Sequence, residues 1–256
     1  TSNALTGENL HRNVIFRGNA DTTRSLTPLT TWESGDPATL WAWLNNYEAT
    51  TGGKALAIPH NGNLSNGRMF EEQQYDGKPL TREWIEARAR WEPVYELYQF
   101  KGSGESNPRL SPTDEFASHE IWDTGNLAGL TKQPSMLKSE YWREALKSGM
   151  RLQGQFGTNP FKYGAAAGTD THTGLSASEE NNFWGKLRSS EPSAGRWDQV
   201  FQKEKSYVGK DWTLAAAGYM GVWATANTRE AIWDAMKRRE TYATSGPRMT
   251  LRFFGG

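Results

Sequence analysis

Tyr163-Gly164-Ala165-Ala166-Ala167-Gly168-Thr169-Asp170-Thr171-His172-Thr173-Gly174 is the stretch on which the fold turns. A run of small apolar residues stops abruptly, and an aspartate and a histidine follow two residues apart. If 163–168 is a buried strand, the polar residues mark its C-terminal end. In an extended segment residues i and i+2 project to the same side, so Asp170 and His172 would point into one site. Imidazole plus carboxylate suits Zn, Mn or Fe rather than a soft thiolate centre. A short acid–histidine pair is also a common turn, so the strand context has to carry the reading.

That context recurs along the chain. Lys54-Ala55-Leu56-Ala57-Ile58-Pro59-His60 is a buried-strand pattern that finishes on a histidine, and Val94-Tyr95-Glu96-Leu97-Tyr98-Gln99-Phe100 is strand-like and rich in aromatics. Strands are also expected at 14–18, 241–244 and 249–253. Helical patterns lie between them. Asp36-Pro37 opens one, as N-cap and first helical residue, with Leu40, Trp43, Leu44 and Tyr47 as its buried stripe. A second covers 81–91 and ends before Pro93. A third spans about 139–147, burying Trp142, Ala145 and Leu146, with Gly149 as its stop. The last is capped by Asn227, with Glu230 at its third position and Lys237, Arg238 and Arg239 at its C-terminal dipole. Alternating strands and helices predict an α/β protein built from βα units. The stretch 176–219 reads as an insertion or lid holding a helix over 196–203.

Composition narrows the function classes. The chain has 256 residues, with 29 basic and 29 acidic side chains, so no excess positive charge marks a nucleic-acid or anionic-membrane partner. No apolar run approaches the ~20 residues of a membrane span. Hydrophobic content of 36% is enough for a packed core. With no cysteine, any metal must be held by the four histidines and by carboxylates, and the compartment is left open between exported and cytosolic. Twelve tryptophans read first as core filling, and second as a surface for stacking on sugars.

Polar or glycine-rich loops follow four strand candidates, at 60–63, 100–106, 168–174 and 244–248. In a parallel barrel all such ends lie on one face and build the active site. His60 is then a third metal-ligand candidate beside Asp170 and His172. His11 and His119 are weaker candidates. Glu96, mid-strand, needs a partner if it faces inward, since a buried unpaired carboxylate is costly. Lys101 and Glu105 share a loop and pair with each other or serve a substrate, while Arg248 clamps an anion or caps a turn. The sequence contains no G-x-G-x-x-G, P-loop, G-x-S-x-G or H-E-x-x-H motif.

The blocks NLHRNVIFRG, LAIPHNGNLSNGRMF, YQFKGSGES, SPTDEFA, GTDTHTG and TYATSGPRM resemble, in that order, a long bacterial family of unassigned function. That family is similar to the PHP (polymerase and histidinol phosphatase) metal-dependent phosphoesterases, within the amidohydrolase-like barrels. The resemblance implies a distorted (β/α) barrel holding two or three divalent metal ions, with His60, Asp170 and His172 as ligands. Asn61, Lys101, Glu105 and Arg248 become the substrate-side candidates. One departure stands out: the first-strand H-x-H motif of PHP-like proteins is missing. Residues 1–256 therefore read as the C-terminal portion of one such barrel, incomplete and open at an edge that a homo-oligomer contact would cover. The implied function is part of a metal-dependent hydrolase acting on a small-molecule phosphate ester or similar ester, with this stretch itself inactive. The alternative is a non-catalytic carbohydrate-binding or oligomerisation module on a degenerate barrel.

Overall fold

The computed structural model describes residues 2–3, 8–60, 62–122, 126, 130–174, 186–187, 190–203, 208–214 and 218–254. A short antiparallel pair, β1 (Ser2–Asn3) and β2 (Glu8–Asn9), precedes β3 (Arg12–Phe16). Helix α1 (Pro37–Thr51) starts as its sequence requires: the Asp36 side chain accepts from the Ala38 N–H, Pro37 occupies the first turn, and Gly52 at φ 70° ends it. Its buried stripe is Leu40, Trp41, Leu44 and Tyr47, with Trp43 only half-buried. Two contacts favour Trp41: its indole N–H donates to Glu92 at 3.0 Å, and its ring packs edge-on against Trp84.

Strand β4 (Ala55–Pro59) is buried along its whole length. Thr81 caps α2 (Arg82–Trp91) by accepting from the Trp84 N–H, and the chain turns at Pro93 into β5 (Val94–Gln99), which pairs briefly with β6 (Gly102–Ser103). Helix α3 (Trp142–Phe156) runs through the expected stop at Gly149 and ends at Gly157, φ 84°. Gly149 is there for close approach: a Cβ would lie 2.2 Å from Asn159 Oδ1 and 3.0 Å from Phe161 Cβ. Ala145, Gly149 and Leu152 are buried, whereas Trp142 and Leu146 are half-buried. Strand β7 (Gly164–Ala167) follows, then the antiparallel pair β8 (Val200–Lys203) and β9 (Val208–Lys210), then β10 (Met220–Val222). The side chain of Thr228, not Asn227, caps α4 (Arg229–Lys237), and β11 (Thr241–Ala243) pairs antiparallel with β10. Two expected elements are replaced: 200–203 is strand rather than helix, and 249–253 has no regular structure.

The class is α/β, but the barrel expectation, closed or incomplete, is overturned. Among the described residues the strands fall into separate ladders of two or three: β1-β2, β3-β4, β6-β5-β7, β8-β9 and β10-β11. Only β5 and β7 pair parallel; β3, although linked to β4 through α1, pairs with it antiparallel over Arg12–Phe16. A (β/α) barrel needs every neighbour parallel. Alternation of strand and helix in sequence sets neither strand direction nor ladder closure, and it misled here. Still, β4 runs beside β5 and β11 beside β7, so with the β5–β7 pair four strands lie side by side.

Tyr47, Trp91, Tyr95 and Phe161 lie in the main core cluster, and Leu56, Ile58, Val94 and Trp233 form a second cluster against α4. Trp41, Trp84, Trp91, Trp122 and Trp233 are buried, so core filling accounts for them; Trp32, Trp197, Trp212 and Trp223 are exposed. Within the main core sits an ion network. Glu92 accepts from Arg12 Nε at 3.0 Å and lies 3.2 Å from Arg88 Nε, which donates to the Tyr163 hydroxyl. No described helix is long and apolar enough to cross a membrane.

Candidate functional site

His60 leaves the end of β4 with its backbone N–H donating to His11 O at 3.1 Å, which ties it to the start of β3. Its Nδ1 lies 2.8 Å from Glu96 Oε1 on β5. A carboxylate oxygen only accepts, so Nδ1–H donates to Glu96 and Nε2 points away from it. It faces Asp170: Nε2 lies 3.6 Å from Oδ1. His172 Nε2 lies 3.6 Å from the same oxygen. His11 stacks on His60, with ring centroids 6.1 Å apart. Desolvation against the cluster and the neighbouring His60 hold the His11 pKa below its usual value, although the residue keeps an open outer face.

The pair Asp170 and His172 converges by a route other than the extended strand expected. Strand β7 stops at Ala167, and Asp170 adopts φ 52°, the left-handed region that aspartate tolerates better than most residues. The stretch is both a strand end and a turn.

The second Asp170 oxygen belongs to cations. Lys101 and Lys186 both donate to Oδ2, and Gln99 Nε2 joins them at 3.2 Å. Lys186 also donates to the Asp170 carbonyl at 2.6 Å and stands 3.2 Å from His172 Nε2, while the His172 N–H donates to Lys186 O at 2.8 Å. Burial would raise the Asp170 pKa, but Lys101, His60 and Lys186 outweigh it and hold the carboxyl far below its ordinary range. For Lys186, burial and then the adjacent Lys101 ammonium pull the pKa down to about 8 against the attraction of Asp170.

His60, Asp170, His172 and Lys101 thus come together. Glu105 does not join them; it binds Arg143, so the expected pairing with Lys101 is replaced by two separate ion pairs. Arg248 lies over the Tyr219 ring at 5.2 Å, and His119 stacks on Tyr98. Asn61 lies outside the described residues. Lys186 and Gln99 were not singled out from the sequence. Lys186 falls in the stretch that reads as a lid, where no periodicity marks it; Gln99 ends a strand in which only the charge of Glu96 calls for a partner.

The donor set fits a divalent ion in chemical type. Ligands bonded at about 2.1 Å in a tetrahedral site lie ~3.4 Å from one another, close to the two separations of 3.6 Å measured from Asp170 Oδ1 to the imidazoles. The Glu96–His60 contact is the carboxylate–histidine arrangement that orients metal-binding imidazoles. Among the described residues no three His, Asp or Glu side chains surround a single ion position, and the second Asp170 oxygen is turned to the lysines.

No curated protein and no solved structure gives a significant match to the chain. A family model described as a protein of unknown function, DUF3604, matches residues 1–256, and the chain belongs to that family.

Proposed function

We propose that the cluster serves, in the intact protein, a metal-dependent hydrolase of phosphate esters or similar esters. The carrying observation is Asp170: one oxygen is shared by two imidazole nitrogens at 3.6 Å, and the other is met by two ammonium groups. A divalent ion held by His60, Asp170 and His172 would act as a Lewis acid on the ester. Glu96 fixes the tautomer and orientation of His60. Lys101 and Lys186 supply positive charge at the same spot, which suits a substrate group that gains negative charge as it reacts. The likeness of the IPHN and GTDTH motifs to the strand-end motifs of PHP phosphoesterases supports a phosphate ester in particular.

Two ammonium groups beside the ligand carboxylate oppose a cation and favour an anion. Metal affinity is therefore expected to rise when inorganic phosphate is present. The test is elemental analysis of the full-length protein, followed by aryl phosphate and aryl carboxylate esters assayed with Zn, Mn and Fe(II). Hydrolysis that depends on metal and is lost in Asp170→Asn and His60→Ala supports the proposal. Metal content equal in wild type and Asp170→Asn, with no ester cleaved, refutes it.

A further inference from the structure

A second site adjoins the cluster through the β5–β6 hairpin. Gln99 and Lys101 from this hairpin serve Asp170, while Leu97, Tyr98 and Ser103 line a cavity of about 460 Å³. Its other walls come from the sequence blocks that contribute nothing to the cluster: Phe116 and Ala117 from SPTDEFA, and Ala243, Thr244 and Ser245 from TYATSGPRM. Glu105, left without a role at the cluster, also lines it. The volume lies within the ~300–1,000 Å³ of small-molecule sites.

The lining selects a chemical class. Arg143 donates Nε and Nη2 to Glu105 Oε1, at 3.1 and 2.7 Å, and Nη1 to Asp114 Oδ2 at 2.5 Å. The lining carboxylate, Glu105, and Asp114 outside the lining both engage the one guanidinium, so an anionic ligand finds no surplus positive charge. The trio is only partly buried, with side-chain exposures of 37% for Arg143 and 41% for Glu105, so donors and acceptors alternate within reach of solvent. Such alternation matches hydroxyl groups, which both donate and accept. Aromatic surface is offered beside it: the His119 ring stacks on Tyr98 at 6.1 Å, and Phe116 is 73% exposed. An exposed ring at a polar cavity suits the C–H face of a cyclic polyol; a wholly apolar ligand would strand the charged trio.

We infer that this cavity binds a neutral, polyhydroxylated ring, a sugar or cyclitol. Its role as the alcohol part of the ester substrate rests on the hydrolase reading above; the ligand class itself does not.

The experiment titrates the full-length protein with neutral monosaccharides, alditols and myo-inositol, and separately with inorganic phosphate, under saturation-transfer NMR. Phe116→Ala is the main variant, because a side chain so exposed is removed without unfolding the protein; Glu105→Gln is the second, with circular dichroism confirming its fold. Saturable binding of a neutral polyol, weakened several-fold to about tenfold by loss of the Phe116 ring, is the expected result. No polyol binding, or binding unchanged in both variants, overturns the inference. Aryl-ester hydrolysis by wild type is measured in parallel. Hydrolysis without polyol binding sinks this inference and spares the proposed function, whereas polyol binding without hydrolysis does the reverse.

Discussion

Glu92→Gln tests the ion network that joins the end of α2 to β3, one residue before Pro93 leads into β5. The Glu92 side chain is fully buried, and those of Arg12 and Arg88 are 1% and 2% exposed. Burial would raise the Glu92 pKa, but the two guanidiniums outweigh it and hold the carboxyl below its usual value. Glutamine keeps the size and its oxygen can still accept from Arg12 and Trp41, but its amide NH2 then meets the Arg88 N–H, so the substitution removes the charge and the acceptor that faces Arg88. Arginine cannot escape by losing its proton, and two buried guanidiniums would face each other uncompensated. Removing one partner from a buried ion pair costs about 3–5 kcal/mol. At ~2–4 °C per kcal/mol for a chain of this size, the melting temperature should fall by roughly 6–20 °C. The pH dependence has a definite sign. A carboxyl with a depressed folded pKa stabilises the fold above its unfolded pKa of about 4.3, and that contribution fades as pH falls through the folded value. The gap between wild type and Glu92→Gln should therefore be full at pH 7 and narrow below about pH 4. Thermal unfolding by circular dichroism from pH 7 to pH 3 reads both. A loss under ~1 kcal/mol at pH 7, or a gap that does not narrow in acid, would show that the network carries no net stabilising charge interaction.

Gly149→Ala should destabilise α3 despite a helix-propensity gain of about 1 kcal/mol, because overpacking costs ~1–3 kcal/mol. Asn159 Oδ1 cannot simply swing aside, since it accepts from the Phe161 N–H at 2.8 Å. A urea midpoint equal to or above that of wild type would contradict this. Thr81→Ala should cost about 1 kcal/mol through loss of the cap on α2, checked by the same denaturation. Glu96→Gln should weaken divalent-ion binding by about 10–100-fold through His60 while leaving the fold intact; unchanged affinity in a competition titration with a chelating dye would separate Glu96 from the site.

Much of the site was legible because strand ends are where a chain can aim polar groups. His60 and Asp170 follow buried runs that stop abruptly, which marks them as strand-end groups; the barrel that was to join them is absent, and β4 beside β5 with the parallel β5–β7 pair brings them together instead. Glu96 was legible through cost: a carboxylate among aromatics on a buried strand needs a partner, and His60 is that partner at 2.8 Å. Lys186 was not legible. It is held at Asp170 by its ammonium bonds to the Asp170 carbonyl and carboxylate and by the His172 N–H, and no local pattern encodes those contacts. In α1 the sequence offers two tryptophans next to the same leucines, and choosing Trp41 over Trp43 required knowing that Glu92 sits across the core. The barrel failed for a deeper reason. Hydrophobic runs say that strands are buried, but the direction of β3 against β4 depends on how the 17–36 loop returns, which periodicity does not record.

The backbone at Asp170 ties the cluster's parts into one unit. A non-glycine residue in the left-handed region gives up roughly 1–2 kcal/mol relative to a right-handed one. Its side chain recovers more than that, since a charge-assisted hydrogen bond contributes about 1.5–3 kcal/mol and Asp170 accepts from two ammonium groups. Lys186 in turn is kept in place by the Asp170 carbonyl and by the His172 N–H, both of which belong to the turn that the φ of 52° creates. The turn, the two lysines and the two imidazoles therefore depend on one another. A ligand that draws the lysines off Asp170 would free its second oxygen and loosen the turn in the same movement. Under the proposed hydrolase reading an anionic ester is such a ligand, which is the physical reason to expect anion and metal cation to reinforce each other here rather than compete.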